Sequence, residues 1–362
     1  MKAWILNPLT KELQLVDRPL PKPRRGAVTV RIEAAMVLGY MKELLAGGRG
    51  HDFPSRPFVP GTNAVGVVEL IGEGVYHVTP GQRVSVHPHL VADERLPAPA
   101  QLLLGHPARF GEASEDLQAD WIDGAFAEYT EWPARLVTPV AALGAIPATQ
   151  ALALSKAVVP YGGLLRIGAT AGEVVAVNGA SGFYGSAGVL VAVAMGAARV
   201  LAVGRDVTAL HAVAAAAGER VIPVALTGDA ESDTDAMRKA AGGGIDAALD
   251  VIGAKSSTST GSVLRSLRRG GRLAMMGSCS EPLSIGFGEM LANDWLIVGQ
   301  FMYPQDAPQR LVRLAASGQL RLDAIRPRIY GFADLPKALD EAVTMRGLEL
   351  TALTPQERVN DR

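Results

Sequence analysis

The fold of this 362-residue chain is decided by residues 174–188, which read VVAVNGASGFYGSAG. An apolar run, a glycine-rich turn and an alanine- and valine-rich run predict a buried strand, a tight turn and a helix. Gly179 permits the turn, Gly182 lets backbone approach a pyrophosphate, and Gly185 lets the helix pack close to the strand. The amides and dipole at the start of that helix attract phosphate groups. The stretch therefore predicts a dinucleotide-binding loop.

The spacing within this loop differs from the usual one. Its glycines follow G-x-x-G-x-x-G rather than G-x-G-x-x-G, and Ser181 stands at the usual second glycine. A glycine pattern alone is weak evidence, because a simple tight turn can carry it. Here the pattern follows a predicted strand and opens a predicted helix, and that context favours dinucleotide binding.

Short strands and helical runs alternate along the region that surrounds the loop. The predicted strands are 174–178, 200–203, 221–224, 247–251, 272–276 and 296–299, and the predicted helices are 186–195, 207–217, 235–241 and 256–267. Such alternation predicts parallel strands joined by right-handed crossovers in a doubly wound sheet. A sheet of this kind binds ligands at the carboxyl ends of its strands, where the strand order reverses.

The end of the second predicted strand bears on the choice of nucleotide. Sites for NAD usually place an acidic residue there, but this chain has Gly204 followed by Arg205. A guanidinium binds a 2′-phosphate through charge-assisted hydrogen bonds, so the pair favours NADP(H). The alternative is that Arg205 is a solvated charge and that Asp206 caps the next helix. The candidate nucleotide-binding residues are Gly179, Ser181, Gly182, Phe183, Tyr184, Gly185, Gly204, Arg205 and Gly277.

The first third of the chain has a different texture. Alternating residues at 28–32 (VTVRI) and a similar run at 65–70 predict short strands joined by turns, with few helices. The stretch 93–118 is rich in proline and alanine without a clear period, and we expect a long loop or an insertion there. The whole is an α/β protein with a mainly-β part and a doubly wound part.

Composition excludes several classes of function. The chain has 35 basic and 36 acidic residues and a net charge of −1, which offers no electrostatic footprint for nucleic acid or an anionic membrane. Its single cysteine, Cys279, excludes an intrachain disulfide and any multi-cysteine metal site. The apolar stretch 187–198 is too short to span a membrane and no targeting segment is visible, so we expect a cytoplasmic protein.

Four further motifs resemble those of the medium-chain dehydrogenase/reductase superfamily, in its zinc-independent quinone-oxidoreductase and enoyl-reductase branches. They are PGTNAVGVV at 60–68, VTPGQRV at 78–84, DGAFAEY at 123–129 and GGRL at 270–273. The resemblance covers nearly the whole chain. It implies a GroES-like mainly-β catalytic domain over 1–138, a Rossmann domain over 139–300, and a return of the chain to the catalytic domain over 301–362. It also implies a homodimer or homotetramer, joined through the last Rossmann strand near 295–299.

Departures from the family pattern decide the expected chemistry. Zinc-dependent relatives take one ligand from a cysteine where this chain has Leu38, and another from a histidine where it has Thr62. Neither side chain supplies a thiolate or an imidazole, and residues 90–120 contain no cysteine for a structural zinc lobe. We therefore expect no metal. The alternative is a relocated site at His87 and His89, or at His51 and Asp52.

Without zinc, the negative charge that hydride transfer creates must be spread through the substrate or met by hydrogen-bond donors. Enones, enoyl thioesters and quinones spread it. We therefore expect NADPH-dependent reduction of an activated C=C bond or a quinone, with the cofactor supplying the hydride. The same fold could instead act on a carbonyl or alcohol, or bind NADPH without turnover.

The resemblance also locates candidate catalytic residues. Tyr40 occupies the position of the proton relay in the zinc enzymes, and a phenol can protonate an enolate; the alternative is that it only shapes the pocket. Thr62 and Asn63 could polarise the acceptor oxygen or hold the nicotinamide ribose, or else form hydrogen bonds at a strand edge. Tyr303 is a second candidate proton donor; the alternative is that it lines the dimer surface or the pocket. Cys279 has no basic neighbour in sequence that would activate it.

Overall fold

The computed structural model describes residues 1–48, 50 and 52–355, and these fold into two compact units. The first unit contains Met1–Ser155, Pro327–Met345 and the chain from Leu350 onward. The second contains Lys156–Arg326 and the short segment Arg346–Glu349. In the described part of the chain the longest helix has 14 residues, and no helix could span a membrane. The cytoplasmic location stays a prediction.

Strands are distributed through both units. They are β1 (Lys2–Leu6), β2 (Leu13–Asp17), β3 (Ala27–Val37), β4 (Ala64–Ile71), β5 (Arg83–Val86), β6 (His89–Val91), β7 (Gln101–Leu103), β8 (Arg109–Phe110), β9 (Tyr129–Pro133), β10 (Val137–Pro139), β11 (Val174–Asn178), β12 (Arg199–Gly204), β13 (Val221–Ala225), β14 (Ile245–Asp250), β15 (Gly253–Ala254), β16 (Leu267–Met275), β17 (Ser278–Cys279), β18 (Leu296–Gly299), β19 (Arg326–Gly331) and β20 (Glu349–Thr354).

Helices are concentrated in the second unit. The α-helices are α1 (Met41–Leu45), α2 (Ser114–Asp120), α3 (Ala148–Ala151), α4 (Ala153–Arg166), α5 (Phe183–Ala194), α6 (Val207–Ala217), α7 (Ala230–Ala241), α8 (Thr258–Ser266), α9 (Phe287–Asn293), α10 (Ala307–Ala316) and α11 (Leu335–Ala342). Short 3₁₀ helices span Ala134–Leu136, Ala141–Leu143, Leu322–Ala324 and Phe332–Asp334.

The first unit is built around an antiparallel sheet. Its strands lie in the order β10-β5-β4-β3-β20-β19, with β9 also paired to β3. The predicted strands at 28–32 and 65–70 are confirmed as parts of β3 and β4. Val28, Val30 and Ile32 are buried, as the alternation requires.

The prediction of a long loop at 93–118 is wrong. This stretch contains β7, β8 and most of α2, and β7 lies between β6 and β8 in a small antiparallel sheet. The strands are two or three residues long, so they show no period of their own. Pairing with β6, rather than a local pattern, holds them in place.

The second unit is a doubly wound parallel sheet, which confirms the expected fold class. Its order is β13-β12-β11-β14-β16-β18, so the direction of winding reverses between β11 and β14. The bounds predicted for β11, β18 and α6 agree with the structure. Helix α7 begins five residues earlier than predicted, because the Asp229 side chain accepts from the Ser232 amide and caps it. Buried aliphatic side chains from strands and helices form one core, including Leu201, Ala248 and Leu273.

Candidate functional site

The glycine-rich loop lies between β11 and α5, at the reversal of strand order where an open α/β sheet binds its ligand. Gly179 has φ +90°, a backbone conformation that residues with a side chain rarely adopt. Its amide and that of Ala180 donate to the Val203 carbonyl, at 3.0 and 2.9 Å. The Gly182 amide donates to the Gly179 carbonyl at 2.8 Å, which closes the turn.

Close approach of the helix to the turn requires the third glycine. A Cβ atom at Gly185 would lie 2.0 Å from the Gly179 carbonyl oxygen, well inside van der Waals contact. Helix α5 therefore begins against the turn, with Gly182 as an N-cap that has no side chain. Phe183 and Tyr184 flank this start with their rings edge to face at 5.0 Å. Backbone amides and the helix N-terminus make a cradle that fits a pyrophosphate.

The end of β12 lies beside the glycine-rich loop. Gly204 is buried, and a Cβ atom there would lie 2.9 Å from the Ser181 hydroxyl oxygen. Arg205 is exposed. Asp206 accepts from the Ala209 amide at 3.0 Å and caps α6, so its side chain is engaged in the helix. The structure thus brings Ser181 and Gly204 together and leaves Arg205 facing solvent.

A buried polar network beneath the loop was missed at the sequence level. The Asp250 carboxylate accepts from Asn178 Nδ2 at 2.9 Å, from Thr260 Oγ1 at 2.6 Å and from the Ile252 amide at 3.1 Å. Burial raises the pKa of Asp250 against the effect of these donors. Asn178 and Asp250 end adjacent strands, β11 and β14. The polar residues at or near the ends of two predicted strands are the sequence signal from which this network could have been predicted.

Gly277 follows β16 at the same edge of the sheet. A Cβ atom there would lie 2.1 Å from the Ile252 carbonyl oxygen, and its amide donates to the Asp250 carbonyl at 3.1 Å. Gly277 therefore lets two loops pass close to each other. Cys279 lies in the short strand that follows, where its Sγ donates to the Lys255 carbonyl at 3.3 Å. The thiol of Cys279 therefore holds two backbone segments together.

Tyr303 is not placed as a proton donor should be. Its side chain is 4% exposed and packs on Gly162 within the second unit. Burial raises the pKa of the Tyr303 phenol well above its usual range, which makes it a weaker acid.

In the first unit, three glycines bring distant segments together. The Gly61 amide donates to the Gly105 carbonyl at 3.0 Å, and the Gly61 carbonyl accepts from the Ala125 amide at 2.8 Å. A Cβ atom at Gly105 or at Gly124 would lie within 2.2 Å of the Gly61 carbonyl oxygen. This backbone contact joins the segment that carries Thr62 and Asn63 to the one that carries His106.

Tyr40, Thr62, Asn63 and His106 are here called the Tyr40 cluster. Tyr40 is half-buried at the start of α1, and its ring meets the His106 ring at 6.1 Å with planes 73° apart. His106 Nδ1 accepts from the Ala108 amide at 3.0 Å, so the neutral ring carries its proton on Nε2. His106 was missed, because its position in an aperiodic stretch gave no signal.

Thr62 and Asn63 form the buried part of the cluster. The Thr62 hydroxyl donates to Asn63 Oδ1 at 2.9 Å, and both residues are less than 10% exposed. The Asn63 carbonyl accepts from the Met36 amide at 2.9 Å. The hydrogen bond from the Thr62 hydroxyl turns Oδ1 towards Thr62, so the amide N–H groups of Asn63 lie on the other side of its side chain.

The donor set of this unit does not fit zinc. Leu38 is buried at 3% exposure and offers no donor atom, and Thr62 offers only a hydroxyl. The described residues hold no group of three or more His, Cys, Asp or Glu that could bind a metal. Burial lowers the pKa of His87 to about 3, and His89 Nε2 lies 2.9 Å from Gln101 Oε1. Asp52 is near Arg109, and His51 lies outside the described residues.

Comparison with known proteins agrees with this architecture. A family model described as an alcohol dehydrogenase GroES-like domain matches residues 24–142, and one described as a zinc-binding dehydrogenase matches residues 185–317. An alcohol dehydrogenase of Geobacillus stearothermophilus is 28% identical over 334 residues, 89% of this chain and 90% of that protein. An acryloyl-coenzyme A reductase of Metallosphaera sedula is 26% identical over 333 residues, with the same coverage.

Solved structures show the same fold. The crystal structure of AibC matches with a TM-score of 0.81 and 22% identity, covering 99% of this chain and 96% of that chain. The same superfamily is indicated by both family models, by the relatives that match along most of their length and by the glycine-rich loop after β11. The chain is an oxidoreductase of the medium-chain dehydrogenase/reductase superfamily.

Proposed function

We propose that this protein is a zinc-independent, NADPH-dependent reductase of an activated C=C bond, in an enone or enoyl thioester, or of a quinone. One observation carries the proposal. Leu38 and Thr62 stand where zinc-dependent relatives place a thiolate and an imidazole, and neither offers such a ligand.

The acceptor class follows from electrostatics. An acceptor that gains a hydride also gains negative charge, which a metal would stabilise as a Lewis acid. Neutral donors such as those of Thr62 and Asn63 stabilise a localised alkoxide less than a divalent cation does. A conjugated acceptor lowers that demand, because the charge is delocalised over an enolate or a hydroquinone anion.

Residues of the second unit would hold the nucleotide. The cradle of Gly179, Gly182 and Gly185 accepts the pyrophosphate, and the end of β12 accepts the adenosine ribose. When bound, the reduced nicotinamide supplies the hydride.

Two features of that ribose site favour NADPH. An acidic side chain at Gly204 would have to displace the Ser181 hydroxyl, only 2.9 Å from its Cβ atom. The neighbouring exposed Arg205 offers a guanidinium to a 2′-phosphate.

The Tyr40 cluster would then handle the proton. Tyr40 is half-buried, so its phenol is partly shielded from water. In the proposal it protonates the enolate carbon or the quinone oxygen, while the amide of Asn63 donates to the acceptor oxygen. The hydroxyl of Thr62 orients that amide through its hydrogen bond to Oδ1. A donor aligned in this way costs no reorganisation when charge develops.

The relatives support two acceptor classes. The acryloyl-coenzyme A reductase acts, by its name, on an activated C=C bond, and the alcohol dehydrogenases favour a carbonyl or an alcohol. The second class is the alternative function, with Tyr40 in the role that zinc has in those enzymes. The side chains at positions 38 and 62 favour the first.

Steady-state kinetics after exhaustive dialysis against a chelator test the proposal. The acceptors are an enone, an enoyl thioester, a quinone and a simple ketone, each with NADPH. We expect turnover with at least one of the first three and none with the ketone. Activity with the ketone alone, or activity that returns only when Zn²⁺ is added, contradicts it. NADPH binding without turnover of any acceptor indicates a non-catalytic relative.

We also propose that copies of this chain pair through β18 to form a homodimer or homotetramer. β18 is the last strand in its sheet, so one of its edges has no neighbouring strand within the described chain. Phe287 and Leu291 on the adjoining α9 are 97% and 78% exposed. Pairing of this edge with a second copy would provide hydrogen-bond partners for the backbone groups along the edge of β18 and cover the apolar side chains of α9. A monomeric mass in light scattering contradicts this arrangement.

A further inference from the structure

Lys156 is the most unusual charged residue of the second unit. Its side chain is fully buried near the start of α4, although lysine is rarely buried. Its Nζ donates to the Gly347 carbonyl at 2.5 Å and to the Glu349 carbonyl at 2.7 Å. Both acceptors lie in the short segment Arg346–Glu349, here called the return segment, which belongs to this unit.

The same amine also contacts the glycine-rich loop. Nζ lies 4.4 Å from the centroid of the Phe183 ring, within the range of a cation–π interaction. Phe183 is the first residue of α5 and directly follows Gly182. One ammonium therefore touches both the return segment and the beginning of the helix that receives phosphate.

The return segment is tied directly to the loop as well. The Gly347 amide donates to the Ser181 carbonyl at 3.0 Å, and the Ser186 hydroxyl donates to the Gly347 carbonyl at 2.5 Å. The Gly347 carbonyl thus accepts from both Ser186 and Lys156. These contacts span the loop from Ser181 to Ser186, so a change at Lys156 reaches the whole cradle.

We propose that Lys156 is a positioning residue for dinucleotide binding, whose ammonium holds the glycine-rich loop, through Phe183 and the return segment, in the shape that accepts a pyrophosphate. The proposal depends on nucleotide binding at this loop and not on the acceptor or on the preference for NADPH.

The positive charge, and not only the length of the side chain, is needed. An ammonium has three N–H groups, so it can serve two carbonyls and still present positive charge to a ring face. A neutral amine retains two N–H groups for the carbonyls but loses the attraction to Phe183. Deprotonation therefore releases the loop selectively.

The protonation of Lys156 falls within the range of ordinary assays. Burial lowers the pKa of Lys156 to about 7, and the negative charge of Glu349 on the return segment opposes that shift. The other charged residue of the return segment, Arg346, is exposed. Helix α5, which packs against the amine through Phe183, contains no charged residue.

The direction of the pH effect follows from linkage. A bound pyrophosphate adds negative charge near the loop and favours the ammonium, so the pKa of Lys156 is higher in the complex than in the unliganded protein. Binding then takes up a proton, and affinity falls as pH rises from 7 to 9. A rise of about one pH unit in this pKa on binding gives about a fivefold increase in Kd over that interval.

Fluorescence titration with NADPH and with NADH between pH 7 and 9 tests the proposal. For the wild type we expect Kd to rise about fivefold, with proton uptake seen by calorimetry in two buffers of different ionisation heat. For Lys156→Met we expect a Kd at pH 7 raised about 2- to 30-fold and no pH dependence of that Kd. Lys156→Arg, which keeps its charge, restores part of the affinity without the pH dependence.

Lys239→Met is the matched control, because Lys239 is an exposed lysine of α7 in the same unit. It should behave as the wild type does. A pH dependence in Lys156→Met equal to that of the wild type overturns the proposal, as does a wild type without proton uptake. If Lys156→Met does not fold, Phe183→Leu decides: it keeps the lysine but loses the ring, and full retention of the pH dependence then refutes the role. Absence of any nucleotide binding would instead refute the loop assignment.

Discussion

The glycine-rich loop and the Tyr40 cluster serve the proposed reaction by different means. In the loop, the groups that could bind a phosphate are the backbone amides at the start of α5, and Gly179 and Gly185 matter because they lack side chains. In the Tyr40 cluster, a phenol, a hydroxyl, an amide and an imidazole are the groups that could act. The loop depends on backbone geometry, and the cluster depends on which side chains are present.

That difference explains which properties of this protein can be inferred from its family. Any chain that folds in this way with the required glycines reproduces the loop, so nucleotide binding accompanies the fold. The cluster can change its chemistry by substitution while the fold stays the same. In the proposal, Leu38 and Thr62 are such substitutions, because neither side chain offers a thiolate or an imidazole to a metal.

The largest effect is expected at the loop. In Gly185→Ala the new Cβ atom meets the Gly179 carbonyl 2.0 Å away, so the helix must move off the turn. We expect nucleotide binding to be lost in a fluorescence titration, with a stability loss of about 1–3 kcal/mol in thermal unfolding. Gly288→Ala is the control, because a Cβ atom there meets nothing within 4 Å. Normal binding in Gly185→Ala would show that the cradle is not the binding element.

Tyr40→Phe tests the side chain on which the cluster depends. Removal of the phenol hydroxyl should lower kcat about 10²- to 10⁴-fold, the usual contribution of general acid catalysis. The Kd of the nucleotide should not change, because the loop lies in the other unit. Stopped-flow measurement of nucleotide oxidation gives the rate. Tyr76→Phe, at an exposed tyrosine of the same unit, is the control. An unaltered rate would assign Tyr40 a role in pocket shape only.

The smallest effect is expected at the edge of the loop, where one side chain adds to the backbone site. Arg205→Ala should raise the KM for NADPH about 10- to 150-fold through loss of a charge-assisted hydrogen bond, and change that for NADH little. Parallel kinetics with both nucleotides measure the ratio. Arg238→Ala, on α7, removes an arginine elsewhere in the same unit as a control. Equal changes for both nucleotides would contradict the NADPH preference.

Much of the second unit could be predicted from the sequence because its information is local. The bounds of β11, α6 and β18 follow from apolar runs bounded by glycine and charged residues. The loop follows from three glycines within seven residues. Where a predicted bound is wrong in this unit, the cause is also local: α7 begins earlier than predicted because the side chain of Asp229 caps it.

The first unit was less predictable because its contacts are distant in sequence. His106 reaches the Tyr40 cluster only through the packing of Gly61, Gly105 and Gly124, which no local pattern indicates. The expected loop over 93–118 failed for the same reason, since pairing between strands as short as β7 and β8 is decided by their neighbours.

The sequence alone determined the alternation of strands and helices, the glycine-rich loop and the absence of a thiolate and an imidazole at positions 38 and 62, because periodicity and residue identity are local properties. Only the tertiary structure decided that Ser181 lies beside Gly204, that His106 joins Tyr40, and that a buried lysine links the return segment to Phe183. Those contacts join residues far apart in the chain, and they form only when the core brings their backbones within hydrogen-bonding distance.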